Sequence, residues 1–185
     1  YDMGHKITGI LDITGAIYNP KGIDIYDLSE HMKSRPLSSY NKAEGIDPAG
    51  IFSLDCDVLI PAALENQITG ANAAGIKAKI IAEGANGPIT PDADRILLDN
   101  GVLIIPDVLC NAGGVTVSYF EWVQGNLSYF WSKREVNLKL RDIMEKAFHD
   151  VYNCHIQKKV DMRTAASLIA VSRVVEALTL RGLYP

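Results

Sequence analysis

The stretch at positions 106–122, PDVLCNAGGVTVSYFEW, decides how the rest of the chain is read. A hydrophobic strand ends at Pro106-Asp107, and a small polar patch leads into the adjacent Gly113 and Gly114. An apolar-periodic segment then begins, with Ser118 set among Val117, Tyr119 and Phe120. A strand that opens through glycines onto a helix start is where open α/β folds place their ligands. Glycine also lets a ligand come close to the backbone. Asn111, Thr116 and Ser118 are the polar side chains at hand, so a ligand site is expected here.

Upstream, short apolar runs alternate with helical segments. Strands are predicted at 6–12 (KITGILD), 57–61 (DVLIP), 79–82 and 102–105. Helices are predicted at 25–34, with Asp24 as N-cap, at 69–75, and after Thr90-Pro91, the last ended by Gly101. Asp47-Pro48 reads as a further helix start. Residues 13–22, ITGAIYNPKG, read as a turn-rich loop. Continuous apolar strands separated by helices predict a parallel sheet covered on both faces.

Downstream of about Gly114 the pattern is all-helical. Ser132 and Glu135 form an S-x-x-E capping box. The helix after it carries Val136, Leu140, Ile143, Met144, Ala147, Phe148 and Val151 at helical spacing, and a second long helix runs over 162–181, closed by Gly182. These apolar stripes are assigned to core packing. The expected fold is α/β: a partial doubly wound, Rossmann-like parallel sheet with a helical C-terminal segment. A dinucleotide-binding domain spans 1–125, and C-terminal helices span 126–185.

Composition narrows the function classes. The 185 residues are 48% hydrophobic and 22% charged, a globular balance, and the formal charge of −4 offers no general attraction for nucleic acid or anionic membrane. No apolar run approaches the roughly 20 residues that cross a bilayer. Cys56, Cys110 and Cys154 lie far apart without a CxxC, which favours a reducing cytoplasm over a disulfide framework. The four histidines have no metal-ligand spacing, so no metal is expected. Asp2-Met3-Gly4 resembles a helix C-terminus and no initiating methionine is present, so the chain is expected to be a piece of a longer protein.

Three further residues, and Ser118 itself, carry candidate chemistry. Asp12, at a strand end, can accept hydrogen bonds from an adenosine ribose while repelling a 2′-phosphate, or it can simply shape the D-x-x-G turn to Gly15. A G-x-G-x-x-G fingerprint is absent. Asn86, directly after a strand in AEGANGP, can bond a ribose hydroxyl or close its own loop. Glu83 stands at the same strand end but lacks a nearby partner for acid–base work. Ser118 lacks any Ser-His-Asp context and suits a hydrogen-bond role better than a nucleophilic one.

The segments PAALENQIT (61–69), AEGANGPITPDAD (82–94), IIPDVLCNAGGVTVSYFEWVQ (104–124) and VDMRTAA (160–166) resemble the hexameric glutamate dehydrogenases, in order and over nearly the whole chain. LDITGAIYNPKGID (11–24) is similar to the segment that follows the second strand of their nucleotide domain. The resemblance implies reversible oxidative deamination of L-glutamate to 2-oxoglutarate and ammonia, with hydride passing to NAD, or to NADP. It further implies a homohexamer and a separate N-terminal domain that supplies the catalytic lysine and aspartate.

By resemblance, Ser118 bonds the substrate side-chain carboxylate and Val115 lines the glutamate pocket. Asn111 lies near the nicotinamide amide, Asn86 contacts the nicotinamide-side ribose, and Asp12 sits near the adenosine ribose. A serine in that pocket favours glutamate, since the similar leucine and phenylalanine dehydrogenases need an apolar wall. The alternatives are such a related amino-acid dehydrogenase, or a non-catalytic nucleotide-binding or assembly module. With the catalytic domain, glycine fingerprint and first strand missing before Tyr1, the chain alone is expected to be inactive. Its last helices are expected to pack back toward that domain.

Overall fold

The computed structural model describes residues 1–182; the last three positions of the 126–185 segment lie outside them. Among the described residues the strands form two three-stranded sheets. In the first, β1 (Gly9–Asp12), β2 (Gly15–Tyr18) and β3 (Glu44–Ile46) pair antiparallel in chain order. In the second, β4 (Val58–Leu59), β5 (Ile80–Ala82) and β6 (Leu103–Ile105) are parallel, with Ile81 opposite Leu59 on one side and Ile104 on the other.

The parallel sheet therefore begins later than the strand pattern predicts, and the expected loop at 13–22 contains β2. Asp12 causes this. Its Oδ1 accepts hydrogen bonds from Thr14 N at 2.7 Å and Thr14 Oγ1 at 2.6 Å. That Asx turn reverses the chain within two residues, so Asp12 pairs with Gly15. The following GAIY buries Ala16 and Ile17, but four residues among turn formers are too few for alternation to register.

Helix α1 (Ile25–Met32) starts as expected, Asp24 accepting from Tyr26 N at 3.0 Å and Asp27 N at 3.1 Å. It packs Leu28 with Ile17, Ile23, Leu37 and Tyr40 on the first sheet. Asp47 caps only a 3₁₀ turn, Pro48–Ser53. The helix expected over 69–75 is likewise a single 3₁₀ turn, Ala73–Gly75. There the Asn72 side chain ties the loop to itself, bonding Thr69 N and Gln67 O.

Helix α2 (Pro91–Asp99) begins at Thr90-Pro91 and buries Ala93 and Leu97, four residues apart on one face, against Ile68, Ile81 and Ile104. After β6 come the short α3 (Asp107–Cys110) and then α4 (Gly113–Leu127), α5 (Lys133–Lys158) and α6 (Met162–Arg181). The capping box forms, Ser132 Oγ accepting from Glu135 N and Glu135 Oε2 from Ser132 N. Leu109, Val151, Met162, Ala165 and Ala166 close a third core against Leu103 and Ile105 of β6. The C-terminal helices are thus part of the sheet's packing.

Core packing explains only part of the helical stripes. In α6 it covers the first turns, while Val171, Val174 and Leu178 are about three-fifths exposed. In α5, Ile143 also faces solvent. The sequence period marks which face is apolar, not whether this chain covers it.

Candidate functional site

Loops following β5 and β6 meet at the carboxyl ends of the parallel strands. Glu83, immediately after β5, is wholly buried. Burial of a carboxylate requires a partner, and here the partner comes from 80 residues away. Arg163, in the first turn of α6, forks onto Glu83, with Nη2 to Oε1 at 2.7 Å and Nη1 to Oε2 at 3.0 Å. Its Nη2 also donates to Asp94 Oδ1 of α2 at 2.9 Å, and Nη1 lies 3.6 Å from Asp107 Oδ1.

Backbone donors complete the network. Asp107 N donates to Glu83 Oε2 at 2.7 Å, and Gly87 N donates to Asp107 Oδ2 at 2.9 Å. Gly87 takes a φ of +54°, a left-handed conformation that favours glycine. Burial disfavours a charged Arg163, but its bonds to Glu83 and Asp94 outweigh that and raise its pKa above the ordinary value. Glu83 is therefore an ion-pair carboxylate, engaged at both oxygens, and not a general base.

Two predicted residues come together beside this network. Asn111, capping α3, donates from Nδ2 to Asn86 Oδ1 at 2.6 Å. One donor and one acceptor are used, and among the described residues Asn86 Nδ2 and Asn111 Oδ1 have no protein partner. A carboxamide presents the matching pair of groups, and ribose hydroxyls match either one. The pair therefore leaves one donor and one acceptor open to a ligand of that kind.

Val115 and Ser118 are three residues apart on α4 and share a face. Val115 is 70% exposed, and Ser118 Oγ is solvent-facing, donating to Gly114 O at 3.2 Å. Asn111 precedes them by four and seven residues across a nearly helical junction, so the three follow one another along the same side. At Gly114 a Cβ would meet no atom within 4 Å. The backbone there is open to an incoming molecule.

Asp12 is not joined to this group by any hydrogen bond. Its side-chain bonds go to Thr14 in the β1–β2 hairpin. Cys110, next to Asn111, has its thiol pKa raised by burial and by the Glu83 charge, which leaves it a poor nucleophile.

Residues 1–182 match the family model for Glutamate/Leucine/Phenylalanine/Valine dehydrogenase. The chain belongs to this family. An NAD-specific glutamate dehydrogenase of Staphylococcus aureus is 51% identical over 98% of the chain, and a glutamate dehydrogenase of Thermotoga maritima is 48% identical over all of it. The chain spans 44% of the length of each. A hetero-hexameric glutamate dehydrogenase from Thermus thermophilus, in a leucine-bound form, superposes with a TM-score of 0.89 at 31% identity, covering the whole chain and 44% of that protein.

Membership in the Glu/Leu/Phe/Val dehydrogenases accounts for the parallel sheet and its strand-end loops, whereas the Arg163 network joins residues that no local pattern connects. Arg163 stands in one of the motifs that carry the resemblance, and Asp94 in another, 69 residues away. One signal was available. A cation in the first turn of a helix opposes the helix dipole, so an arginine there calls for a nearby anion. None of the described helices is long and apolar enough to span a membrane.

Proposed function

We propose that the chain is the nucleotide-binding part of an NAD-linked glutamate dehydrogenase, an enzyme that oxidatively deaminates L-glutamate to 2-oxoglutarate and ammonia. The observation that carries this reading is the sequence of groups along one side of α3–α4. The Asn86–Asn111 amide pair lies at one end, and Val115 and Ser118 lie one and two turns further on. A dinucleotide held at the amides would accept hydride from the substrate Cα. Asn111 Oδ1 and Asn86 Nδ2 would orient the nicotinamide end, since the bond between the two side chains fixes which atoms face outward. Val115 would supply apolar contact for the substrate's methylene groups, and the Ser118 hydroxyl would turn from Gly114 O to the side-chain carboxylate.

Asp12 favours NAD over NADP in this reading, because an acid near the adenosine ribose repels a 2′-phosphate. Residues 1–125 would form the dinucleotide domain, and 126–185 would carry the helices that return toward a catalytic domain supplying lysine and aspartate. A cytoplasmic homohexamer completes the proposal. A leucine, phenylalanine or valine dehydrogenase is the weaker alternative, since a hydroxyl facing an apolar side chain loses its partner.

Replacing Ser118 with Val in the full-length enzyme tests the reading. The kcat/KM for glutamate should fall roughly a hundredfold, the scale of a hydrogen bond lost from a charged group. Dinucleotide affinity should hold. Unchanged glutamate kinetics would remove Ser118 from the substrate site.

A further inference from the structure

The buried ion pair between Glu83 and Arg163 stands behind the site and takes no part in the proposed reaction. We infer that Arg163 is a positioning residue for dinucleotide binding, setting the Asn86–Asn111 pair from behind through Glu83 and Asp107. The inference rests on the reading of that amide pair as the nicotinamide end of the site.

The connections run in one short chain. Arg163 grips both oxygens of Glu83 at 2.7 and 3.0 Å, and Glu83 Oε2 accepts from Asp107 N at 2.7 Å. Asp107 Oδ2 in turn accepts from Gly87 N at 2.9 Å, the residue directly after Asn86. Asp107 also opens α3, and Asn111 caps its other end, with Asn111 N donating to Asp107 O at 3.0 Å. Both asparagines therefore hang from Asp107, one on each side. Their own bond of 2.6 Å requires the two loops to keep a fixed separation.

A surface arginine would satisfy the helix more cheaply elsewhere, since a cation at the start of α6 opposes the helix dipole. Only the planar guanidinium can span Glu83 bidentately while its Nη2 reaches Asp94. A lysine ammonium keeps the charge and loses the fork. By contrast no side chain of this network bonds Val115 or Ser118, whose own side-chain bond goes to Gly114 O, so a defect in it should act on the dinucleotide more than on the amino acid.

The test uses the full-length enzyme carrying Arg163→Lys or Asp107→Asn, with Asn111→Ala as the reference. Asp107→Asn sets an amide NH₂ against Gly87 N or Val108 N, and it leaves the buried pair intact if Arg163→Lys folds poorly. Titration with NADH, followed by its fluorescence, and steady-state kinetics are read together. The expected result is a dinucleotide Kd and KM raised roughly tenfold or more, with kcat and the glutamate KM within about threefold of the parent. If either folded variant keeps the parent NADH affinity while its melting temperature drops, Arg163 is only structural and the inference falls. Parallel losses in kcat and in both KM values overturn it equally. If Asn111→Ala itself binds NADH normally, the reading of the site falls and the inference with it. If Asn111→Ala binds weakly while the network variants do not, only the inference falls.

Discussion

The two ends of the site differ in how much of the molecule holds them. Asn86 and Asn111 hang from loops cross-braced by Glu83, Asp107 and Arg163, and the loop after β4 is tied in as well, since Pro61 O accepts from Gly84 N at 3.0 Å and Ala85 N at 2.9 Å. Val115 and Ser118 stand on an exposed helix face, and the side-chain hydrogen bond of Ser118 stays within α4. Pre-set groups suit a dinucleotide, whose large surface rewards a fixed receptor. An open wall suits a small substrate that must enter, react and leave.

Substitutions of like size should therefore behave differently at the two ends. At the braced end, a Cβ on residue 84 would stand 3.0 Å from Ala62 Cβ and 3.4 Å from Ala62 Cα. The two loops are hydrogen-bonded to each other, so relief requires backbone movement. Gly84→Ala is expected to destabilise by about 1–3 kcal/mol, the cost of overpacking. Chemical unfolding of parent and variant measures it, and a loss below about 0.5 kcal/mol would mean the braced end is softer than its hydrogen bonds imply.

A smaller effect is expected at Asp161, the N-cap of the helix that delivers Arg163. Burial raises the cost of charging Asp161, but bonds from Thr164 Oγ1 and Thr164 N outweigh it and hold the carboxyl below its usual range. Asp161→Ala should cost about 1 kcal/mol at neutral pH. A lowered folded pKa means the stabilisation is complete above the unfolded value of about 3.9 and fades as pH falls through the lowered folded value. The gap between parent and variant in thermal unfolding should close below about pH 4. A gap that persists into stronger acid would assign the cap to packing and not to charge.

Local rules made much of this legible. Asp24, the Ser132–Glu135 box, Thr90-Pro91 and Gly101 punctuate helices through nearest neighbours, and the strands around Ile81 and Ile104 declare themselves by apolar runs. Asn86 and Asn111 were legible as polar residues in the segments that follow strands. What lay beyond reach depended on contacts across the chain. β2 and β3 become strands only because Asp12 turns the chain back, and Arg163 gains a role only when α6 docks 80 residues away from Glu83. Asp12 is legible in its turn role, which is local and shows in its bonds to Thr14.

The smallest expected effect also reverses sign. Gly114 lies in α4 with no atom within 4 Å of where a Cβ would sit. Alanine there relieves the entropic cost of a helical glycine and meets no clash, so Gly114→Ala should stabilise by about 0.5–1 kcal/mol. The same open space is what an incoming molecule would use beside Asn111 and Ser118, and a methyl group would narrow it. In the full-length enzyme, Gly114→Ala should therefore unfold at a higher temperature than the parent while binding glutamate or dinucleotide more weakly. A variant that is both more stable and undiminished in binding would show that nothing approaches the backbone at this position. The openness of the α4 face would then have to be explained by packing alone.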